Sequence, residues 1–146
     1  MRRRKKCGRH EHTLMEVSPL RHRTMQAVKS KNTTPELIVR RLLHTNGYRY
    51  QLHRADLPGC PDIVFSRKKK IIFIHGCFWH GHSCARGARV PKSNTEYWTS
   101  KISRNRDRDA VVKKKLKANG WEQVVLWECE TKNESAVLKK ISRFLN

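Results

Sequence analysis

The sequence predicts an α/β fold, a mixed central sheet flanked by helices, and three observations lead there. Apolar residues recur at helical spacing in "TTPELIVRRLLHTNGY" and again in "NESAVLKKISRFLN". Between them lie three short apolar runs, "YRYQLHR", "DIVFS" and "KIIFIH", parted by the breakers "DLPGCP" and "RKKK". A long helical segment then precedes a fourth apolar run, "WEQVVLWEC". The order is helix, three strands, helix, strand, helix. With 146 residues and no internal repeat, one domain is expected over 18–146, preceded by a basic arm at 1–17.

Each element carries its own signals. After the arm, Pro19 suits the first turn of a short basic helix with Leu20, Met25 and Val28, which "KSKNT" ends. In the next helix Thr34 is expected as N-cap and Pro35 in the first turn. Leu37, Ile38 and Leu42 form its apolar face, with Val39 as a candidate fourth, and Gly47 stops it. A tight antiparallel hairpin across Arg67–Lys69 joins the second and third strands. The long helix runs from about Thr95 to Ala118, with a bend admitted near Ser103, and ends at "NG". The last strand reads as buried, and the final helix turns Val137, Leu138, Ile141 and Leu145 inward.

Composition bounds the function. Lys and Arg number 33 against 12 Asp and Glu, a formal net charge of +21, so the expected partner is a polyanion, nucleic acid first. A basic membrane-surface protein would gather its charge on an amphipathic helix with a strongly apolar opposite face, and none dominates here. No apolar run has the length of a membrane span, and "MRRRKKCGRH" is not followed by the hydrophobic stretch of a signal peptide. A cytoplasmic, nucleoid-associated location is expected. Five cysteines, an odd count without an export signal, argue against a disulfide framework and for thiols as ligands. Cys7 and Cys60 receive no role.

The stretch "HGCFWHGHSC" at 75–84 holds three histidines, two cysteines, a phenylalanine and a tryptophan. Cys77, His82 and Cys84 have the spacing C-x4-H-x-C, and Cys129 follows the last strand. Soft thiolates with imidazole in a set of four favour a closed, structural Zn2+ site over buried free cysteines. Asp62 opens a buried strand, where an unpaired carboxylate is costly. For a lone Pro-Asp the common reason is a turn capped by the side chain. Convergence favours chemistry instead: the next strand ends in His75, the following helix carries Asp109, and Glu36 on the early helix can close the cluster. Phosphodiester hydrolysis asks for a carboxylate to hold a divalent ion, a base to activate water and a cation for the developing charge. Asp62, His75, His80 and Asp109 supply those groups. Phe78 and Trp79, in a loop, are poorly placed for a core and suit wedging between base pairs, which a mismatched step permits at lower cost. Trp121 and Trp127 are expected in the core.

The motifs "TPELIVRRLL", "DLPGCPDIVF", "IFIHGCFWHGHSC", "EYWTSKISRNRDRD" and "GWEQVVLWEC" together resemble the very short patch repair (Vsr) endonucleases, from about Arg23 to Cys129. The resemblance implies a restriction-endonuclease-like core of the PD-(D/E)xK type. Phe73 and His75 stand where related nucleases carry a carboxylate and a lysine, a replacement Vsr proteins share. The implied activity is metal-dependent nicking of duplex DNA 5′ to the thymine of a T:G mismatch left by deamination of 5-methylcytosine. Asp62 would be the central Mg2+ ligand, assisted by the backbone carbonyl of Ile74. His80 would be the general base, oriented by Asp109, and His75 would contact the scissile phosphate or metal-bound water. Glu36 would hold outer-shell waters.

By the same resemblance Phe78, Trp79 and Trp98 would intercalate beside the mispair, with a core-packed Trp98 as the rival reading. The basic helix around Arg21–Lys31 would clamp the duplex from the other groove, with Arg23, Lys29 and Lys31 as expected DNA contacts, and the segment "KSNTEYWTSK" adds Lys92 and Lys101. The expected partner is double-stranded DNA with a T:G mismatch and no membrane. A monomer suffices because a nick needs one active site, and mismatch-repair proteins are candidate partners. Two alternatives stay open: a same-fold nuclease with another DNA specificity, and a non-catalytic zinc-containing DNA-binding module. The second leaves the Asp62, His75, His80 and Asp109 set without a purpose.

Overall fold

A computed structural model of the chain describes residues 31–146. The arm at 1–17, the short basic helix, Arg23 and Lys29 lie outside the described residues. The elements follow the expected order: α1 (Thr34–Thr45), β1 (Gln51–Leu52), β2 (Ile63–Phe65), β3 (Lys70–His75), α2 (Thr95–Ala118), β4 (Glu122–Trp127) and α3 (Glu134–Leu145). The strands lie side by side as β1-β2-β3-β4; β1, β2 and β3 pair antiparallel, and β4 runs parallel to β3. Mixed direction follows from the connections. A 3-10 turn over Ser66–Lys68, with Lys69 at φ 51°, closes the β2–β3 hairpin, whereas α2 provides the crossover that a parallel pair requires.

Strand alternation divides the side chains between two faces. Ile63, Phe65, Ile72 and Leu126 pack against Val39 and Leu43 of α1 and Val137, Ile141 and Leu145 of α3. Val64, Ile71 and Phe73 pack on the opposite face beneath Leu116 of α2, with Val112, Trp121 and Val125 at the edges. Helices thus cover both faces of the sheet, and the short strands need no longer apolar runs to be buried.

Several expectations shift. The N-cap of α1 is Thr33, one residue earlier than expected. Its buried face is Glu36, Val39 and Leu43; Leu37 is 48% exposed, and Ile38 and Leu42 are half-buried. A count of apolar residues could not find this face because a glutamate belongs to it. Glu36 is 2% exposed and is held by the Asn32 amide at 2.9 Å and by Arg40 at 3.5 Å. The first strand shrinks to Gln51 and Leu52, since His53 at φ 47° leaves the extended region. Helix α2 runs unbroken for 24 residues, with no interruption at Ser103. In α3 Val137, Ile141 and Leu145 are buried as expected, and Leu138 is half-buried. Asn133 caps that helix by accepting from the Ala136 amide at 3.0 Å. Among the described residues no helix is long and apolar enough to cross a membrane.

Candidate active site

The β2–β3 register decides what Asp62 meets. Ile63 pairs with Ile72, so Asp62, one residue before the strand, reaches the end of β3, where the Ile74 amide donates to its Oδ2 at 2.8 Å. His75 closes β3 on the face of Phe73 and Ile71, the face that α2 covers with Asp109. His80, from the loop after β3, completes the group. Its Nδ1 lies 2.5 Å from Asp109 Oδ2, and His75 Nδ1 lies 4.0 Å from the same oxygen.

The His75 and His80 rings stack at 3.8 Å and 7°. Two charged imidazoles at that spacing would repel, and burial disfavours charge on His75 as well. Burial, with a further push from His80 and against the pull of Asp109, lowers the His75 pKa to about 4. His75 is therefore neutral near pH 7. The Asp109 carboxylate accepts from His80 Nδ1, which leaves Nε2 with its lone pair for an incoming proton. Asp62 moves the other way: burial raises its pKa to about 7 against the Ile74 N–H bond, with Glu36 raising and His80 lowering it further.

Two triads of donors lie here, His75–His80–Asp109 and Glu36–His53–Asp62, each offering ligand atoms within 4.8 Å of one another. Glu36 thus joins Asp62 as expected. His53 was not singled out by the sequence; continuing the β1–β2 register past Leu52–Ile63 places it opposite Asp62, and that signal could have found it. A half-buried, desolvated carboxylate with a raised pKa among further carboxylate and imidazole donors suits a divalent cation, which would favour its ionised form.

The second cluster assembles as its spacing indicated. Cys77, His82, Cys84 and Cys129 bring their donor atoms within 4.8 Å of one another, with Cys129 Sγ 3.5 Å from His82 Nδ1. The three cysteines are free thiols. Burial pushes the Cys77 thiol up to about 12, whereas the hydrogen bond with His82 brings Cys84 down to about 6. The donor set fits a tetrahedral dication, which stabilises thiolates outright. The loop closes tightly around it: the His82 amide donates to Cys77 O at 2.9 Å, and a Cβ on Gly87 would stand 2.1 Å from His82 O. Gly87 went unremarked in the sequence. Cys60, unassigned from the sequence, takes no part in the cluster and is disulfide-bonded, a departure from the argument against disulfides drawn from the odd cysteine count.

Trp127 corrects its assignment to the core. Its half-buried ring stacks on His82 at 4.3 Å and meets the His75 and His80 rings near edge-on, at 5.4 and 6.4 Å. It sits between the two clusters. Trp98 packs on the loop aromatics instead of either core cluster. Phe78, Trp79 and Trp98 form a half-buried group with ring centroids 5.2, 5.6 and 5.8 Å apart, and the Lys101 ammonium lies 5.5 Å over Trp79. Asn105 on α2 donates to Trp79 O at 2.8 Å and ties this group to the helix. Lys31 and Lys92 are exposed, and Lys101 is partly shielded.

The description of the family model that matches residues 17–86 is DNA mismatch endonuclease Vsr. The chain is 50% identical over 131 residues to the type II nicking enzyme V.XorIIP of Xanthomonas oryzae pv. oryzae, covering 89% of this chain and 96% of that protein. It is 43% identical over 121 residues to the type II nicking enzyme V.NmeAIP of Neisseria meningitidis, covering 83% and 86%. To DNA mismatch endonuclease Vsr of Escherichia coli it is 38% identical over 109 residues, covering 75% and 69%. Identity of this order, running through most of both chains, means that the chain belongs to the DNA mismatch endonuclease Vsr family and is a DNA endonuclease.

Proposed function

We propose that the protein nicks duplex DNA 5′ to the thymine of a T:G mismatch, using one active site in a monomer. The observation that carries this reading is the His80–Asp109 pair at 2.5 Å near the half-buried Asp62 carboxylate. Asp62 and the Ile74 carbonyl would hold Mg2+, with Glu36 on its outer-shell waters. When bound, the ion would supply charge neutralisation at the phosphate and would lower the pKa of the attacking water. His80 Nε2 takes the water proton while Asp109 holds the ring and stabilises the imidazolium that forms. His75, neutral, donates a hydrogen bond to the phosphate.

Zn2+ on Cys77, His82, Cys84 and Cys129 would pin the loop that carries His80, so that loop folding and catalysis are coupled. Phe78, Trp79 and Trp98 present one aromatic wedge, and a T:G step resists unstacking less than a paired one. Lys31, Lys92 and Lys101 would bind phosphates, together with Arg23 and Lys29 outside the described residues. The arm at 1–17 would add charge ahead of a single catalytic domain.

A second reading, nicking directed by another DNA feature, draws on the names of the more similar relatives, type II nicking enzymes. The test uses two duplexes identical except for T:G or C:G at one position, with Mg2+ and Asp62→Ala as control. Nicking of the T:G duplex alone, lost in the variant, is expected. Equal cutting of both duplexes overturns the mismatch reading and leaves the nuclease; binding of both without cutting overturns the enzymatic assignment of the site.

A further inference from the structure

His53 stands outside every motif that marked the site, yet three features aim it at Asp62. The β1–β2 register sets it opposite Asp62, and the His53 amide donates to the Asp62 carbonyl at 3.3 Å. Its backbone sits at φ 47°, a sparsely populated conformation for a residue with a side chain, which tends to persist where function or surrounding structure demands it. Its buried Nε2 lies 2.8 Å from Glu36 Oε1 but without hydrogen-bond alignment, so the nitrogen is left unsatisfied.

A ring nitrogen and a carboxylate oxygen this close need a positive centre, either a proton on Nε2 or an ion held by both, and the missing hydrogen-bond alignment favours the ion. For metal–oxygen bonds of about 2.0–2.1 Å, neighbouring corners of an octahedron are roughly 2.9 Å apart. The observed 2.8 Å matches that edge, and donors of Glu36, His53 and Asp62 all fall within 4.8 Å of one another. We infer that His53 Nε2 is a ligand of the divalent ion at Asp62, completing a mixed nitrogen–oxygen site. This rests on the reading of Asp62 as a metal ligand and goes beyond it, because it moves Glu36 from outer-shell waters into direct contact. An imidazole in the ligand set shifts preference from Mg2+ towards first-row ions such as Mn2+ and Co2+.

The probe is Mn2+ alone, added to the full chain without DNA and read by pulsed electron paramagnetic resonance and by titration calorimetry. Wild type is expected to show 14N coupling to the bound ion. His53→Gln is expected to lose that coupling and to bind Mn2+ roughly tenfold or more weakly, whereas His80→Asn keeps it. Circular dichroism checks that the variants fold, and the wild-type spectrum is decisive without them. A wild-type protein that binds no Mn2+, or binds it without 14N coupling, overturns the inference, as does coupling that survives in His53→Gln. If Asp62→Ala binds Mn2+ with undiminished affinity, the reading of Asp62 falls separately, and nicking of T:G duplex tests the function independently of both.

Discussion

Replacing Asp62 with asparagine isolates the free energy stored in its desolvated, half-buried carboxylate. The side chain keeps its shape and loses its charge. Burial lifts the Asp62 pKa from 3.8 to about 7. Between those values the unfolded chain is ionised while the folded chain keeps its proton, so wild-type stability falls as pH rises from about 4 to 7 and levels off above it. Three pH units at 1.36 kcal/mol each set the loss at roughly 4 kcal/mol. His75 contributes the opposite slope: folded it takes a proton only near pH 4, whereas unfolded it does so near 6.5, so its term favours folding increasingly between those values. That term is common to both proteins, and the difference between them isolates Asp62. Urea denaturation at pH 5, 6, 7 and 8, without Mg2+ and without a chelator, should show the asparagine variant gaining on wild type by about 2–4 kcal/mol across the series. A difference that stays flat with pH would refute the argument. Added Mg2+ at pH 8 should recover part of the wild-type deficit by mass action and leave the variant unmoved.

Three further outcomes follow from the geometry. His80→Ala should lower the nicking rate by about 10²–10⁴ while leaving duplex affinity nearly unchanged, and Asp109→Asn should act in the same direction by misorienting the ring; single-turnover kinetics with a binding isotherm separate the two quantities. Gly87→Ala places a Cβ against His82 O and should lower both the zinc content of the purified protein and its melting temperature, as Cys77→Ser should; equal zinc content in wild type and Gly87→Ala would count against the closed-loop reading. Trp79→Ala should weaken T:G duplex binding by about 1–3 kcal/mol and C:G binding less, so the ratio of the two affinities, measured at fixed salt, should fall.

What the sequence alone determined is what local rules govern. Spacing within 75–84 brought Cys77, His82 and Cys84 together, because a short loop offers few ways to separate them, and the strand and helix order followed from breakers and periodicity. The hairpin register could be read in part, since a tight turn leaves β2 and β3 one alignment. Glu36 was legible as a candidate but not as the buried face of α1, because its burial depends on Asn32, Arg40 and a histidine seventeen residues away. Only tertiary structure decided that Trp127 leaves the core to lie between the two clusters, that α2 lowers Asp109 onto His80, and that His53 turns inward. These outcomes rest on contacts between segments distant in the chain. Their energies come from desolvation and packing, and those terms exist only once the sheet and its helices have closed around the site.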